Sequence, residues 1–129
     1  MSNVAAIEAY SKNKKKTLSQ VQVGHQVIGA ALSQLKTNLH ILFSSDDRKA
    51  RTKAFEHALL TIYFLQKGLD LSRGGDLEKT LFQLYEFCRL TVVKNDVDKC
   101  IGSVEIQSCQ DFISEISGAW VATENIRLG

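Results

Sequence analysis

Apolar residues in the first half of the chain recur at spacings of three and four, the pattern of one face of an α-helix. Over residues 26–43 this face consists of Ile28, Ala31, Leu32, Leu35, Leu39 and Leu42. Residues 44–47 interrupt the pattern and offer Ser and Asp oxygens that can cap a second helix. Over residues 48–71 the spacing returns at Phe55, Ala58, Leu59, Ile62, Leu65 and Leu69. We therefore predict two helices joined by a short loop.

The second half of the chain predicts two more helices. Gly74 and Gly75 mark a loop, because glycine accepts the left-handed backbone that often ends a helix, and Asp76 can cap the helix that follows. That helix is predicted from Leu77 to about Lys94, with a core face of Leu77, Leu81, Leu84, Tyr85, Cys88 and Val92. Residues 95–96 break the pattern. A last helix is predicted to open at residue 97, with a core face of Val97, Ile101, Val104, Phe112, Ile116 and Ala119.

Short connections between helices favour antiparallel neighbours. The predicted fold class is therefore all-α, an antiparallel up-down-up-down four-helix bundle over residues 23–122. Residues 1–22 are predicted to form a mobile N-terminal arm or short helix that can dock, and residues 123–129 a C-terminal tail. A length of 129 residues fits a single domain with one hydrophobic core.

The predicted helices carry more apolar residues than their core faces use. Helices with a second apolar face need cover on more than one side, either from the bundle or from a partner. We predict that a partner helix binds in a groove formed by Ile41, Leu60, Phe64, Phe82, Phe87 and Val93. The alternative for each of these residues is an ordinary place in the core or a scattered surface position.

Composition and charge exclude several classes of protein. A net charge of +2 and a pI of about 8.5 are too mild for a typical nucleic-acid-binding domain. The basic run Lys12, Lys14, Lys15 and Lys16 is typical of a solvated tail, with an arm that contacts phosphate or lipid as the alternative. No segment approaches the roughly 20 apolar residues of a membrane span, and the N-terminus lacks the order of a signal peptide. We expect a cytoplasmic protein that neither binds nucleic acid nor inserts into a membrane.

Residues that could carry catalysis show no motif. The three histidines, His25, His40 and His57, lie far apart in the sequence and outside any metal-binding motif. The acidic pairs Asp76–Glu78 and Asp96–Asp98 fall at predicted helix starts, where the helix dipole favours carboxylates. Three cysteines without a CxxC pair are typical of small buried apolar residues in a reducing compartment. We predict a protein that is not an enzyme and has no metal or cofactor.

Several short motifs occur in a characteristic order. They are a Leu69-Asp70 pair at a helix end, the Gly74-Gly75 loop, Leu84-Tyr85 followed by Phe87, the Asn95-Asp96 turn, and the late Trp120. In order and spacing, over about residues 26–122, they resemble the flagellar secretion chaperone FliS family.

The resemblance implies a cytosolic export chaperone that binds the disordered C-terminal segment of flagellin and prevents its premature polymerisation. It also implies delivery of flagellin to the flagellar type III secretion apparatus, with export gate components as further partners. By the same analogy, Ile7 or Tyr10 of the N-terminal arm plugs the groove in the free protein. The alternative is a helical-bundle adaptor or regulator that binds another protein, including as an intertwined homodimer. For the oligomeric state, a monomer and a homodimer are both compatible with the sequence.

Overall fold

The computed structural model describes the backbone of residues 18–69, 71–73 and 75–128, and the side chains of residues 24–69, 71–72 and 75–123. The described residues form four α-helices: α1 (Leu18–Ser44), α2 (Arg48–Lys67), α3 (Asp76–Lys99) and α4 (Val104–Leu128). A 3₁₀ turn, Leu71–Arg73, lies between α2 and α3.

The helices form a closed antiparallel ring, in which α1 packs against α2 and α4, and α3 packs against the same two helices. Hydrogen bonds at both ends fix the direction of α4 relative to α1. The Trp120 indole donates to the His25 carbonyl at 2.7 Å, and the Gly102 amide donates to the Phe43 carbonyl at 2.9 Å. The predicted four-helix bundle is confirmed.

Local hydrogen bonds fix the start and the end of α2. Asp47 caps α2, since its side chain accepts from the Lys49 amide at 3.1 Å. At the other end, the Gly68 amide donates to the Phe64 carbonyl at 3.1 Å, and α2 ends at Lys67 rather than at residue 71. Glycine has a low helix propensity, which favours a stop at this position.

The core contains the predicted faces of the first three helices except Leu84, which is half-buried and lies outside the core cluster. Leu32, Leu35, Leu39 and Leu42 of α1 are fully buried, as are Ala58 and Ile62 of α2 and Cys88 and Val92 of α3. An unbroken spacing of three and four residues identifies these faces because each helix keeps a single register.

The last helix begins at Val104, so the prediction of a start at residue 97 is wrong. Asp96 has a φ of 57°, which interrupts the helical backbone of α3, and Gly102 has a φ of 66°. Residues 100–103 therefore separate residues 97–99 from α4, and Ser103 caps α4 by accepting from the Ile106 amide at 3.2 Å. A helical register carried across this break cannot remain in phase.

The predicted core face of α4 is consequently wrong in part. Val104 is 80% exposed, and Ile101 and Phe112 are also exposed, whereas Val97 and Ala119 are buried and Ile116 is half-buried. The core face of α4 instead includes Ile106, Cys109, Ile113 and Trp120.

Both ends of the described chain are more helical than their sequence pattern indicates. α1 begins at Leu18, so residues 18–22 belong to this helix rather than to the predicted arm. α4 continues to Leu128, past the predicted start of the tail at residue 123. Residues 1–17, the rest of the predicted arm, lie outside the described residues.

Two glycines provide a test of the break before α4. Gly102→Ala should destabilise the fold by about 1–2 kcal/mol, because an alanine side chain disfavours positive φ. Gly118→Ala should stabilise it by about 0.5–1 kcal/mol, because Gly118 is exposed within α4 and an added Cβ meets nothing within 4 Å. Urea unfolding measures both changes, and an equal effect of the two substitutions would contradict the helix boundary.

Candidate partner-binding surface

Exposed apolar side chains form a shallow groove between α1 and α2, which we call the α1–α2 groove. It has a volume of about 230 Å³ and is lined by Ala30, Ala31, Gln34, Leu60, Thr61 and Phe64. Leu60 is 67% exposed and Phe64 is 45% exposed. These two residues lie one helical turn apart on the same side of α2. The small alanines of α1 leave room beside them, so the groove can accept apolar side chains from a partner.

A second apolar surface lies where α3 meets α4, and we call it the α3–α4 surface. Phe87 and Phe112 contact each other edge to face, with ring centroids 5.9 Å apart. Both rings stay partly exposed, and Leu90, one turn from Phe87, is more than half exposed. Edge-to-face packing orients the two rings while leaving part of each accessible.

The α3–α4 surface is bordered at one end by polar contacts. Glu105 accepts from the Asn95 amide at 3.1 Å and from the Lys94 ammonium at 3.3 Å. These hydrogen bonds, the Asn95 bond first, lower the pKa of Glu105. These pairs link the end of α3 to the start of α4, at the edge of the contact between Phe87 and Phe112.

The two sides of the bundle are also joined by a carboxylate between α2 and α3. Glu86 accepts from Arg89, which donates from both Nε and a terminal nitrogen, and from the Gln66 amide at 3.0 Å. The Arg89 hydrogen bond, followed by the Gln66 bond, lowers the pKa of Glu86 from 4.5 to about 2. Glu86 therefore stays ionised at neutral pH and links the two helices.

Three buried cysteines lie in the core, and none is in a disulfide. Hydrogen bonding with Cys109 of α4 and burial raise the pKa of the Cys88 thiol of α3. Burial also raises the pKa of Cys100 to about 11. The thiols of Cys88 and Cys100 are therefore held in the neutral, weakly nucleophilic form. Within the described residues, no group of His, Cys, Asp and Glu side chains could hold a metal ion.

Comparison with known protein families identifies the family of the chain. The family model described as flagellar protein FliS matches residues 1–127. The chain belongs to the FliS family. Comparisons with curated proteins and with solved structures give no significant match.

Membership in the FliS family assigns the chain a general role as a flagellar export chaperone, and FliS is a family of chaperones rather than of enzymes. No helix in the part of the chain that the structure describes has the length and apolarity needed to cross a membrane. The exposed apolar surfaces are thus surfaces of a FliS chaperone.

The six groove residues predicted for this FliS protein do not lie on one surface. Leu60 and Phe64 meet in the α1–α2 groove, and Phe87 lies on the α3–α4 surface. Phe82 is half-buried and Val93 exposed, and helical spacing places both on the side of α3 where Glu86 faces α2.

Ile41, the last of the six, is half-buried and packs against the core. It lies two turns beyond Gln34 on the same side of α1, so it continues the line of the α1–α2 groove without being part of its lining. The two arm residues, Ile7 and Tyr10, lie outside the described residues.

Other surface residues of this FliS protein are not identified by the spacing of apolar residues. Phe112 is predicted in the core because the predicted last helix runs through the break at residues 100–103. Ala30 and Gln34 line the groove although neither is a large apolar residue, and Ala31, which is predicted in the core face of α1, packs against the core and also lines the groove. The sequence feature that indicates the floor of the groove is the pair of alanines beside the leucine face of α1, because small side chains leave a shallow groove between packed helices.

The Glu86 link predicts a specific pH dependence. Its pKa is lower in the folded chain than the ordinary value of 4.5, so ionised Glu86 stabilises the fold above about pH 4.5. This contribution is lost as the pH falls towards about 2. The difference in unfolding free energy between the wild type and Glu86→Gln should therefore shrink between pH 6 and pH 3, measured by urea unfolding.

A second variant separates the Arg89 contact from other effects of the Glu86 substitution. In Arg89→Gln the pKa of Glu86 should rise towards its ordinary value, as followed by carboxyl ¹³C chemical shifts. An unchanged Glu86 titration in this variant would show that the link does not cause the low pKa.

Proposed function

We propose that this chain is a cytoplasmic export chaperone that binds the disordered C-terminal segment of flagellin. By covering that segment it prevents premature polymerisation, and it delivers flagellin to export gate components of the flagellar type III secretion apparatus. Family membership supports the chaperone role. The single observation that supports binding of a helical client is the α1–α2 groove, with Leu60 and Phe64 exposed beside a shallow alanine floor.

An apolar groove suits a disordered client for an energetic reason. A short helix is marginal by itself in water, because nucleation costs more than its few hydrogen bonds return. Burying a large apolar side chain contributes about 1.5–3 kcal/mol, which can offset the ordering of a client segment when several such residues are covered. The groove thus replaces the neighbour that the segment meets in the filament.

The two exposed surfaces together favour a client that covers more than one side of the bundle. Leu60 and Phe64 lie between α1 and α2, whereas Phe87 and Phe112 lie at the junction of α3 and α4. A segment that ends after one short helix covers only one of these surfaces. A longer segment, folding as it binds, can cover both.

Phe64→Asp tests the proposed function. The variant should bind a flagellin C-terminal peptide at least tenfold more weakly, because it places a carboxylate in the apolar groove. Isothermal titration calorimetry measures the affinity, and circular dichroism follows the helix content gained on binding. The bundle should stay folded, since Phe64 is only half-buried.

Val121→Asp is the matched control. Val121 is as exposed as Phe64 but lies on the side of α4 opposite Phe112 and outside both apolar surfaces, so its substitution should leave peptide affinity within about twofold. Failure of the wild-type protein to bind the peptide in excess would exclude the flagellin function and favour the adaptor alternative. Unfolding of Phe64→Asp would show that Phe64 belongs to the core.

A further inference from the structure

The two halves of the bundle carry opposite charge. Residues 24–69, which contain most of α1 and all of α2, have six Lys or Arg and three Asp or Glu residues. Residues 75–123, which contain α3 and most of α4, have four Lys or Arg and eight Asp or Glu residues. The small net charge of the whole chain therefore hides a positive half and a negative half.

Basic residues border the α1–α2 groove on α2. Lys53, His57, Leu60, Phe64 and Lys67 recur at spacings of three and four, so they lie along one side of the helix, and all five are exposed. Fourteen residues separate Lys53 from Lys67, which corresponds to about 21 Å along a helix. The two lysines thus stand on either side of the apolar pair.

The position of Lys67 is restrained by an aromatic ring. Its ammonium nitrogen lies 5.7 Å from the centroid of the Tyr63 ring, within the range of a cation–π contact. A charge held at the end of the groove costs less side-chain entropy to pair with a partner than a freely rotating lysine does.

Carboxylates near the groove are few. Residues 18–44, the whole of α1, contain neither Asp nor Glu, and Glu56 is the acidic residue of α2. Asp46 and Asp47 precede α2, and Asp47 accepts the Lys49 amide as its cap. The surroundings of the groove therefore attract negative charge.

We propose that the α1–α2 groove binds an acidic amphipathic helix. Apolar side chains of this helix contact Leu60 and Phe64, and carboxylates beyond the two ends of its apolar stripe pair with Lys53 and Lys67. Glu86, Asp98 and Glu105 are ion-paired, but the net charge of α3 and α4 is still negative, so the α1–α2 groove is the more favourable place for this helix. This inference rests on the proposed function and specifies the chemistry of one part of the client.

A pair of designed peptides tests the charge preference. Both have 20 residues and the same leucine stripe, with glutamate in one and lysine in the other at the polar positions before and after the stripe. Fluorescence anisotropy of labelled peptides with the full chain should give a Kd about tenfold lower for the glutamate peptide, and added salt should reduce this preference. Equal affinity, or tighter binding of the lysine peptide, would overturn the proposal.

Reversing the charge of Lys53 and Lys67 tests whether these residues cause the preference for the glutamate peptide. The double variant Lys53→Glu/Lys67→Glu should lose the preference and bind the glutamate peptide about tenfold more weakly than the wild type does. The matched control Lys79→Glu/Lys99→Glu changes net charge equally, on exposed residues of α3, and should change this affinity less than twofold. Equal losses in both variants would mean that overall charge, and not the groove, sets the preference.

The flagellin C-terminal segment, titrated into the same variants, distinguishes this inference from the proposed function. If it binds wild type and Lys53→Glu/Lys67→Glu equally, the acidic-helix inference fails and the flagellin function stands. If it does not bind while the glutamate peptide keeps its lysine-dependent preference, the flagellin function fails and the inference stands. Self-association that is lost in Lys53→Glu/Lys67→Glu, with no peptide binding to wild type, would overturn the inference in favour of a second copy as the occupant.

Discussion

Closure of the helix ring depends on the contact between the start of α1 and the end of α4. The Trp120 ring stacks on the His25 ring at a centroid distance of 4.5 Å, and its indole nitrogen donates to the His25 carbonyl. Gly29 leaves the space for this ring, since a Cβ there would lie 3.2 Å from the Trp120 side chain. With α1 held against α4 on one side and against α2 on the other, its leucine face is fully enclosed. The remaining side of α1, which includes Ala30, then forms the floor of the groove.

At the opposite end of the bundle, Arg51 performs a similar role. This buried side chain donates to the Ser45 carbonyl before α2 and to the Val97 carbonyl after the break in α3, each at 3.2 Å. Both carbonyls lie near helix ends, where backbone acceptors lack partners within the helix. A guanidinium with several donors can satisfy two such acceptors at once. The break at Asp96 interrupts the helical register, and it is thus part of an ordered contact between two loops.

The sequence predicts the parts of this structure that depend on a continuous helical register. Leu32 through Leu42 in α1 and Tyr85 through Val92 in α3 illustrate this, because no residue inside these stretches shifts the phase. The α4 face is mispredicted because Asp96 and Gly102 adopt positive φ, and residues 100–103 rotate the helix that follows. Leu60 and Phe64 are identifiable as surplus apolar residues by their angular offset from the core face. Their neighbours across the groove give no apolar excess, so the sequence indicates them only by a pair of alanines beside the leucine face of α1.

The distribution of charge is another feature that the composition of the whole chain does not predict. This distribution gives the α1–α2 groove its selectivity. A net charge of +2 is an average over the chain, so it cannot show that acidic residues concentrate on α3 and α4. Apolar contact with Leu60 and Phe64 distinguishes poorly between one amphipathic helix and another, because the hydrophobic effect is not directional. Charges that flank such a contact penalise the wrong partner more than they strengthen the right one. A chaperone with two apolar surfaces therefore needs opposite charge on its two halves if each part of a long client is to find its own surface.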